Sequence, residues 1–118
     1  MSWYIEFYKT EGGNEPAKEF IDSLPNKHQT KALYVLDLLS TYGSSLKEPH
    51  TKSIVGTKLR GLRIQASPNI YRIFYFAYVG QKFILLHGFT KKTEQVPKKE
   101  IETALKRMDE HIRRHKND

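Results

Sequence analysis

The sequence predicts an α+β domain: an N-terminal strand, an α-helical hairpin, an antiparallel three-strand meander that completes a small sheet, and a C-terminal helix. Three observations carry this expectation. Apolar residues alternate at the start of the chain, they recur every three to four residues in three later stretches, and three strand-like runs separated by turn residues fall before the last of those stretches. Helices and strands grouped along the chain, rather than alternating, point to helices packed on an antiparallel sheet. A length of 118 residues, with no repeat or linker-like break, suits a single domain over 1–118 that buries about two-thirds of its unfolded surface.

Each element has its own warrant. From Trp3 to Lys9, Trp3, Ile5 and Phe7 alternate with Tyr4, Glu6 and Tyr8 at the strand period of two. Gly12-Gly13 breaks the run. Asn14 is the expected N-cap of the first helix, with Glu15 and Pro16 in its first turn, an apolar face of Ala17, Phe20, Ile21 and Leu24, and a stop before Pro25. Lys27 to Tyr42 repeats the pattern through Ala32, Leu33, Val35, Leu36 and Leu39, and Gly43 supplies the left-handed residue that ends such helices. So short a link makes the two helices antiparallel. Residues 43–57, rich in Gly, Ser, Thr and Lys, read as a loop. Lys58 to Gln65, Ile70 to Val79 and Lys82 to Phe89 form the meander, with Ala66-Ser67-Pro68-Asn69 turning its first hairpin and a two-residue loop at Gly80 its second. Pro97 is expected at the first position of the last helix. Its apolar face is Ile101, Ala104, Leu105, Met108 and Ile112, and its basic end, Arg113 to Lys116, suits the negative pole of the helix dipole.

Charge divides unevenly. Residues 1–57 hold 6 Lys/Arg and 7 Asp/Glu, whereas residues 58–118 hold 14 and 6, a net of +8 in the C-terminal half. Such a surface attracts RNA, DNA or an acidic protein through its summed potential; the alternative is a face that is merely solvated. No apolar run approaches the roughly 20 residues of a membrane span, and no basic segment followed by an unbroken apolar stretch opens the chain, so a cytoplasmic protein without a membrane partner is expected. The absence of cysteine excludes disulfides and thiolate metal sites. The five histidines, at 28, 50, 87, 111 and 115, are scattered, and the His111/His115 pair lacks a third ligand on its helix. Phosphate-cradling glycine loops, dinucleotide fingerprints and serine elbows are missing as well, so no metal and no cofactor are expected.

Strand pairing turns this outline into a site. If residues 66–69 close the first hairpin, Gln65 pairs with Ile70 and Arg63 faces Arg72, a like-charge pair that destabilises a sheet unless an anion sits between. A two-residue second loop sets odd residues of the last strand beside even residues of its neighbour. His87 and Phe89 then share a face with Arg63, Arg72 and Phe74, and Lys91 and Lys92 leave the end of that strand. Arginine forks hold phosphate oxygens at two points, lysine adds a point charge, and rings such as Phe89 or Tyr71 stack on bases. The candidate catalytic residues are therefore Arg63, Arg72, His87 and Lys91, and the candidate substrate-binding residues Lys58, Arg60, Tyr71, Phe89 and Lys92. Such a set suits RNA cleavage, in which a base deprotonates the 2′-hydroxyl, cations stabilise the growing charge and an acid protonates the 5′-oxygen. His87, the one histidine expected on this face, is the candidate proton carrier. The structural alternatives are arginines paired with acidic groups from the helices, His87 as a packed ring bonded to a backbone carbonyl, and Phe74-Tyr75-Phe76 as core on both faces.

Leu59-Arg60-Gly61-Leu62-Arg63-Ile64, Tyr71-Arg72-Ile73-Phe74-Tyr75 and Leu85-Leu86-His87-Gly88-Phe89-Thr90-Lys91-Lys92-Thr93, followed by Pro97 and Glu100-Ile101, together resemble the RelE/ParE toxin superfamily, in particular its HigB-like, phage-derived branch. Phe20-Ile21-Asp22-Ser23-Leu24-Pro25 and Tyr42-Gly43 are similar to the helix ends of that branch. The resemblance implies a RelE/ParE-like fold and a type II toxin that cleaves mRNA on the ribosome without a metal. It also implies a helix-turn-helix antitoxin as partner, and operator DNA bound only through the toxin–antitoxin complex. By position, Arg63, Arg72 and Lys91-Lys92 match the family's basic residues. Gly61 stands where the family usually has an acidic residue, and if that acid orients an arginine, Arg63 is freer here. A ParE-like gyrase inhibitor without nuclease activity and an inactive antitoxin-binding remnant are the other readings; the Arg63, Arg72 and His87 cluster favours the nuclease.

Overall fold

The opening alternation folds as β1 (Tyr4–Phe7). In the computed structural model, which describes residues 2–116, there follow α1 (Pro16–Asp22), α2 (Asn26–Tyr42), a single 3-10 turn (Gly43–Ser45), β2 (Thr51–Ser53), β3 (Arg60–Ala66), β4 (Asn69–Tyr78), β5 (Lys82–Lys91) and α3 (Lys98–His115). The strands form one sheet in the order β1-β5-β4-β3-β2. Only β1 and β5 run parallel; the other neighbours are antiparallel. The α+β architecture is the one the sequence predicts, compatible with a RelE-like fold.

Side-chain alternation sorts the strands into two cores. Trp3, Ile5 and Phe7 pack with Leu62, Ile64, Tyr71, Ile73, Tyr75, Phe83 and Leu85 beneath α1 and α2. Tyr8 joins Phe74, Phe76, Ile84, Leu86 and Phe89 on the other face, against Ala104 and Met108 of α3 with Ile101, Leu105 and Ile112 around them. α3 lies over β5 and β4, and among the described residues no helix covers the part of this face nearest β3 and β2.

Several expectations give way. The stretch 43–57 is not all loop: Thr51–Ser53 pair antiparallel with β3, Thr51 opposite Leu62 and Lys52 opposite Gly61. A three-residue edge strand of Thr, Lys and Ser carries no apolar alternation, so nothing in its composition marked it. α1 begins at Pro16 with Glu15 as its cap; Asn14 instead closes a loop with Thr10, whose N–H donates to the Asn14 carbonyl at 2.7 Å. Pro97 likewise caps α3 rather than starting it. On α2 the buried stripe is Ala32, Val35, Leu36 and Leu39, and Leu33, one step around the helix, is 59% exposed.

The second hairpin departs most. Tyr78 pairs with Lys82, leaving a three-residue loop, Val79-Gly80-Gln81, in place of the expected two. Gly80 and Gln81 both take positive φ there. The register then shifts between Phe74 and Tyr75: Tyr75 faces Leu85 but Phe74 faces His87, so Leu86 is the extra residue of a β-bulge. The added loop residue and the bulge compensate, and from His87 onward odd residues of β5 do face even residues of β4.

Two glycines allow close approaches. A Cβ on Gly43, whose φ is +55°, would lie 1.9 Å from Nε1 of Trp3, whose ring stacks on Phe83 at 4.6 Å. At Gly88 of β5, a Cβ would lie 2.5 Å from Cδ2 of Phe20 on α1. Gly88→Ala should therefore push α1 off the sheet and cost about 1–3 kcal/mol, as overpacked cores do; urea denaturation checks this, and an unchanged midpoint would contradict the contact.

A candidate anion site over Gly61

The Ser67-Pro68 turn pairs Ala66 with Asn69 and Gln65 with Ile70, which sets Arg63 opposite Arg72 as the sequence predicts. Arg72 in turn faces Phe89, and Phe74 faces His87. Directly opposed residues project from one face of the sheet, so these groups share the side on which α3 packs.

Arg72 is the unusual member. It is only 6% exposed, and its Nε has no hydrogen-bond partner. Among the described residues the ion pairs are Lys18–Asp22 and Arg114–Glu110, and neither facing arginine is in one. Burial, and then the charge of Arg63, lower the Arg72 pKa from its ordinary value. Arg63 donates to Oε1 of Gln65, at 3.0 Å. The structural alternative of arginines neutralised by helix carboxylates is thus not what these residues adopt.

Gly61 explains how Arg72 lies down. A Cβ there would sit 3.2 Å from both Cδ and Nη1 of Arg72 and 3.4 Å from Cε1 of Phe74. The arginine therefore crosses the sheet over bare glycine backbone. Gly61, which the sequence reading related to Arg63, leaves room for Arg72.

Lys91 pairs across β4 with Ile70, two residues from Arg72. Its pKa is lowered, first by burial and then by Arg72, with Arg63 and Lys52 adding to the effect and Glu94 opposing it. Lys52, opposite Gly61, belongs to the same face and was not anticipated.

His87 is placed differently from expectation. Nε2 of its ring lies 2.8 Å from Oε1 of Glu100, and Nη1 of Arg107 lies 3.1 Å from Nδ1. Since Arg107 can only donate, Nδ1 accepts and Nε2–H donates to the carboxylate. Burial is the main cause of a lowered His87 pKa; the Glu100 hydrogen bond opposes it and Arg107 adds to it. The same Arg107 Nη1 donates to the Leu86 carbonyl at 3.0 Å, the group the bulge leaves unpaired. With both nitrogens engaged, His87 ties β5 to α3.

The proposed substrate-binding residues separate. Tyr71 is 2% exposed on the α1/α2 face, where its hydroxyl meets Nδ1 of His28; it cannot stack on a base at Arg72. Phe89 is on the right face but 6% exposed, its ring between Phe74 at 5.3 Å and His87 at 5.7 Å. Arg60 alternates to the other face and donates to Ser53 Oγ at 2.7 Å. Lys58 lines a groove with Phe76, Tyr78 and Ile112, at the far end of β4 from Arg72. Lys92 is exposed just past β5. Among the described residues no group of three or more His, Asp or Glu is arranged to hold a metal ion, and no helix is long and apolar enough to cross a membrane.

Glu100 and Arg107 were legible in principle. They are charged residues set within the buried stripe that Ala104, Met108 and His111 define on α3.

A family model described as phage-derived protein Gp49-like (DUF891) matches residues 19–109. The chain belongs to this family. Gp49-like proteins are a RelE/ParE-like toxin family of toxin–antitoxin systems, which agrees with the resemblance carried by the meander motifs. The match runs from α1 through most of α3 and leaves β1 outside. No curated protein matches the chain.

An unpaired arginine flanked by cations should take up a small anion. Inorganic phosphate should raise the Tm relative to chloride at equal ionic strength, by about 1.4 kcal/mol of stability at tenfold excess over Kd. Gly61→Glu, which sets a carboxylate against Arg72, should abolish that rise. Equal phosphate responses in the two proteins, read by scanning calorimetry, would contradict the site.

Proposed function

We propose that this protein is a HigB-like toxin of a type II toxin–antitoxin system, a ribosome-dependent mRNA endoribonuclease neutralised by a helix-turn-helix antitoxin. The observation that carries the reading is the buried, unpartnered Arg72 facing Arg63: a phosphodiester supplies the anion this pair lacks. In the reaction the 2′-oxygen bonds to phosphorus and the bond to the 5′-oxygen breaks, leaving a cyclic phosphate. Arg72 and Arg63 stabilise the charge that grows on the non-bridging oxygens. Lys91, whose ammonium burial and then its cationic neighbours make more acidic, donates a proton to the departing 5′-oxygen, while the 2′-proton passes to water.

A cationic face whose histidine is already engaged gains its rate from charge stabilisation. The 2′-hydroxyl then has to arrive aligned with phosphorus, which favours a substrate held by another body, as mRNA is in the ribosomal decoding site. That target sets the toxin's action in the cytoplasm. Operator DNA is reached only through the antitoxin.

Brief induction should arrest growth and produce new 5′ ends within translated mRNAs. Arg72→Ala and Arg63→Ala should each lower cleavage about 10²–10³-fold with the fold retained by circular dichroism. Undiminished toxicity in both variants would remove the site. Intact mRNA with stabilised gyrase–DNA complexes would instead identify a ParE-like inhibitor.

A further inference from the structure

We infer that the cations of this face form a diagonal track for the backbone of one single-stranded nucleic acid, with Lys52 of β2 as a phosphate-contacting residue at its outer end. The inference rests on the reading of the face as an RNA site and deepens it by naming the line along which the strand runs and a further contact.

Four adjacent strands each contribute one cation: Lys52 from β2, Arg63 from β3, Arg72 from β4 and Lys91 from β5. Their levels are stepped. Lys52 is opposite Gly61, Arg63 opposite Arg72, and Lys91 opposite Ile70, which itself pairs with Gln65. From Lys52 to Lys91 the row crosses three strand gaps, roughly 14 Å, while descending from the level of Gly61 to that of Gln65, roughly 13 Å, so its ends stand about 20 Å apart. At Lys91 burial first, and then Arg72, Arg63 and Lys52, disfavour the charged form, while Glu94 opposes them.

Burial is graded along the row. Lys52 is exposed, Arg63 and Lys91 are half-buried, and Arg72 is buried. The line therefore dips to its floor at Arg72, is half-buried on either side of it, and rises to solvent at the Lys52 end. Like charges on neighbouring strands are unfavourable, and a ligand that relieves all four must itself carry charge at intervals. A small anion covers only the floor. An RNA duplex presents two lines of phosphates across its grooves, whereas the sheet offers a single line of cations.

The test is binding of a 2′-O-methyl RNA strand, which lacks the attacking hydroxyl, to the full-length protein across a KCl series by fluorescence anisotropy. Each contacted phosphate adds about −0.7 to the slope of log K against log salt, so four contacts predict about −2.8. Lys52→Gln and Lys91→Gln should each shallow the slope by about 0.7. Lys31→Gln, an exposed change on α2 of the opposite face, should leave it unchanged, and a duplex of the same sequence should bind more weakly. A wild-type slope in Lys52→Gln, an equal loss in Lys31→Gln, or failure of the wild type to bind the strand at low salt would each overturn the track. None of these outcomes depends on whether the wild type cleaves mRNA in cells, so the two readings fail separately.

Discussion

The structure turns on one unrelieved interaction: a buried guanidinium, Arg72, held opposite a second arginine with no carboxylate between them. A buried charge without a partner is costly, and breaking such a pair by removing one member is among the most destabilising changes known in cores. Here the partner is missing by construction. Its persistence requires that everything around it be fixed more firmly than the arginine is repelled. Arg72 sits mid-sheet, between Arg63 of β3 and Phe89 of β5, and its stem lies on the glycine that leaves room for it. Strain of this kind persists where function needs it and is supported from outside the site.

That support comes from α3 and the bulge. Had the three-residue loop been left uncompensated, every side chain of β5 beyond it would face the other way. The extra residue at Leu86 restores the parity that brings Phe89 beside Arg72. Arg107 then satisfies the carbonyl that the bulge frees and holds His87, whose other nitrogen meets Glu100. His87 and Gly88 each have a structural role: His87 fastens the helix, and Gly88 lets Phe20 reach the sheet from the opposite side.

Much of this was legible in the sequence. Alternation in Trp3 to Tyr8, the turn over residues 66–69, whose outer pair Ala66 and Asn69 belongs to the strands, and the helical stripe from Ile101 to Ile112 led to the correct elements, and counting from that turn placed Arg63 against Arg72. What was missed lacks a pattern at the level of single residues. β2 is polar and too short to alternate. A bulge has no fixed composition, so the parity of His87 was reached with a loop one residue too short. Whether an aromatic side chain is available to a ligand depends on tertiary neighbours: Tyr71 and Phe89 look alike in the sequence, yet one meets His28 beneath the helices and the other fills the gap between Phe74 and His87. The role of Gly61 became visible only once a neighbouring strand laid Arg72 across it.

The central claim, that Arg72 is kept unpaired at the expense of the fold so that an anion can complete it, is tested most directly by Arg72→Met in phosphate-free buffer. Methionine keeps much of the stem and removes the charge. If the account is right, guanidinium chloride denaturation will show the variant at least as stable as the wild type, as when buried charges are replaced by apolar groups, while phosphate binding and toxicity are lost. A variant that is clearly less stable than the wild type would mean that the guanidinium is holding the fold together, and would contradict the account.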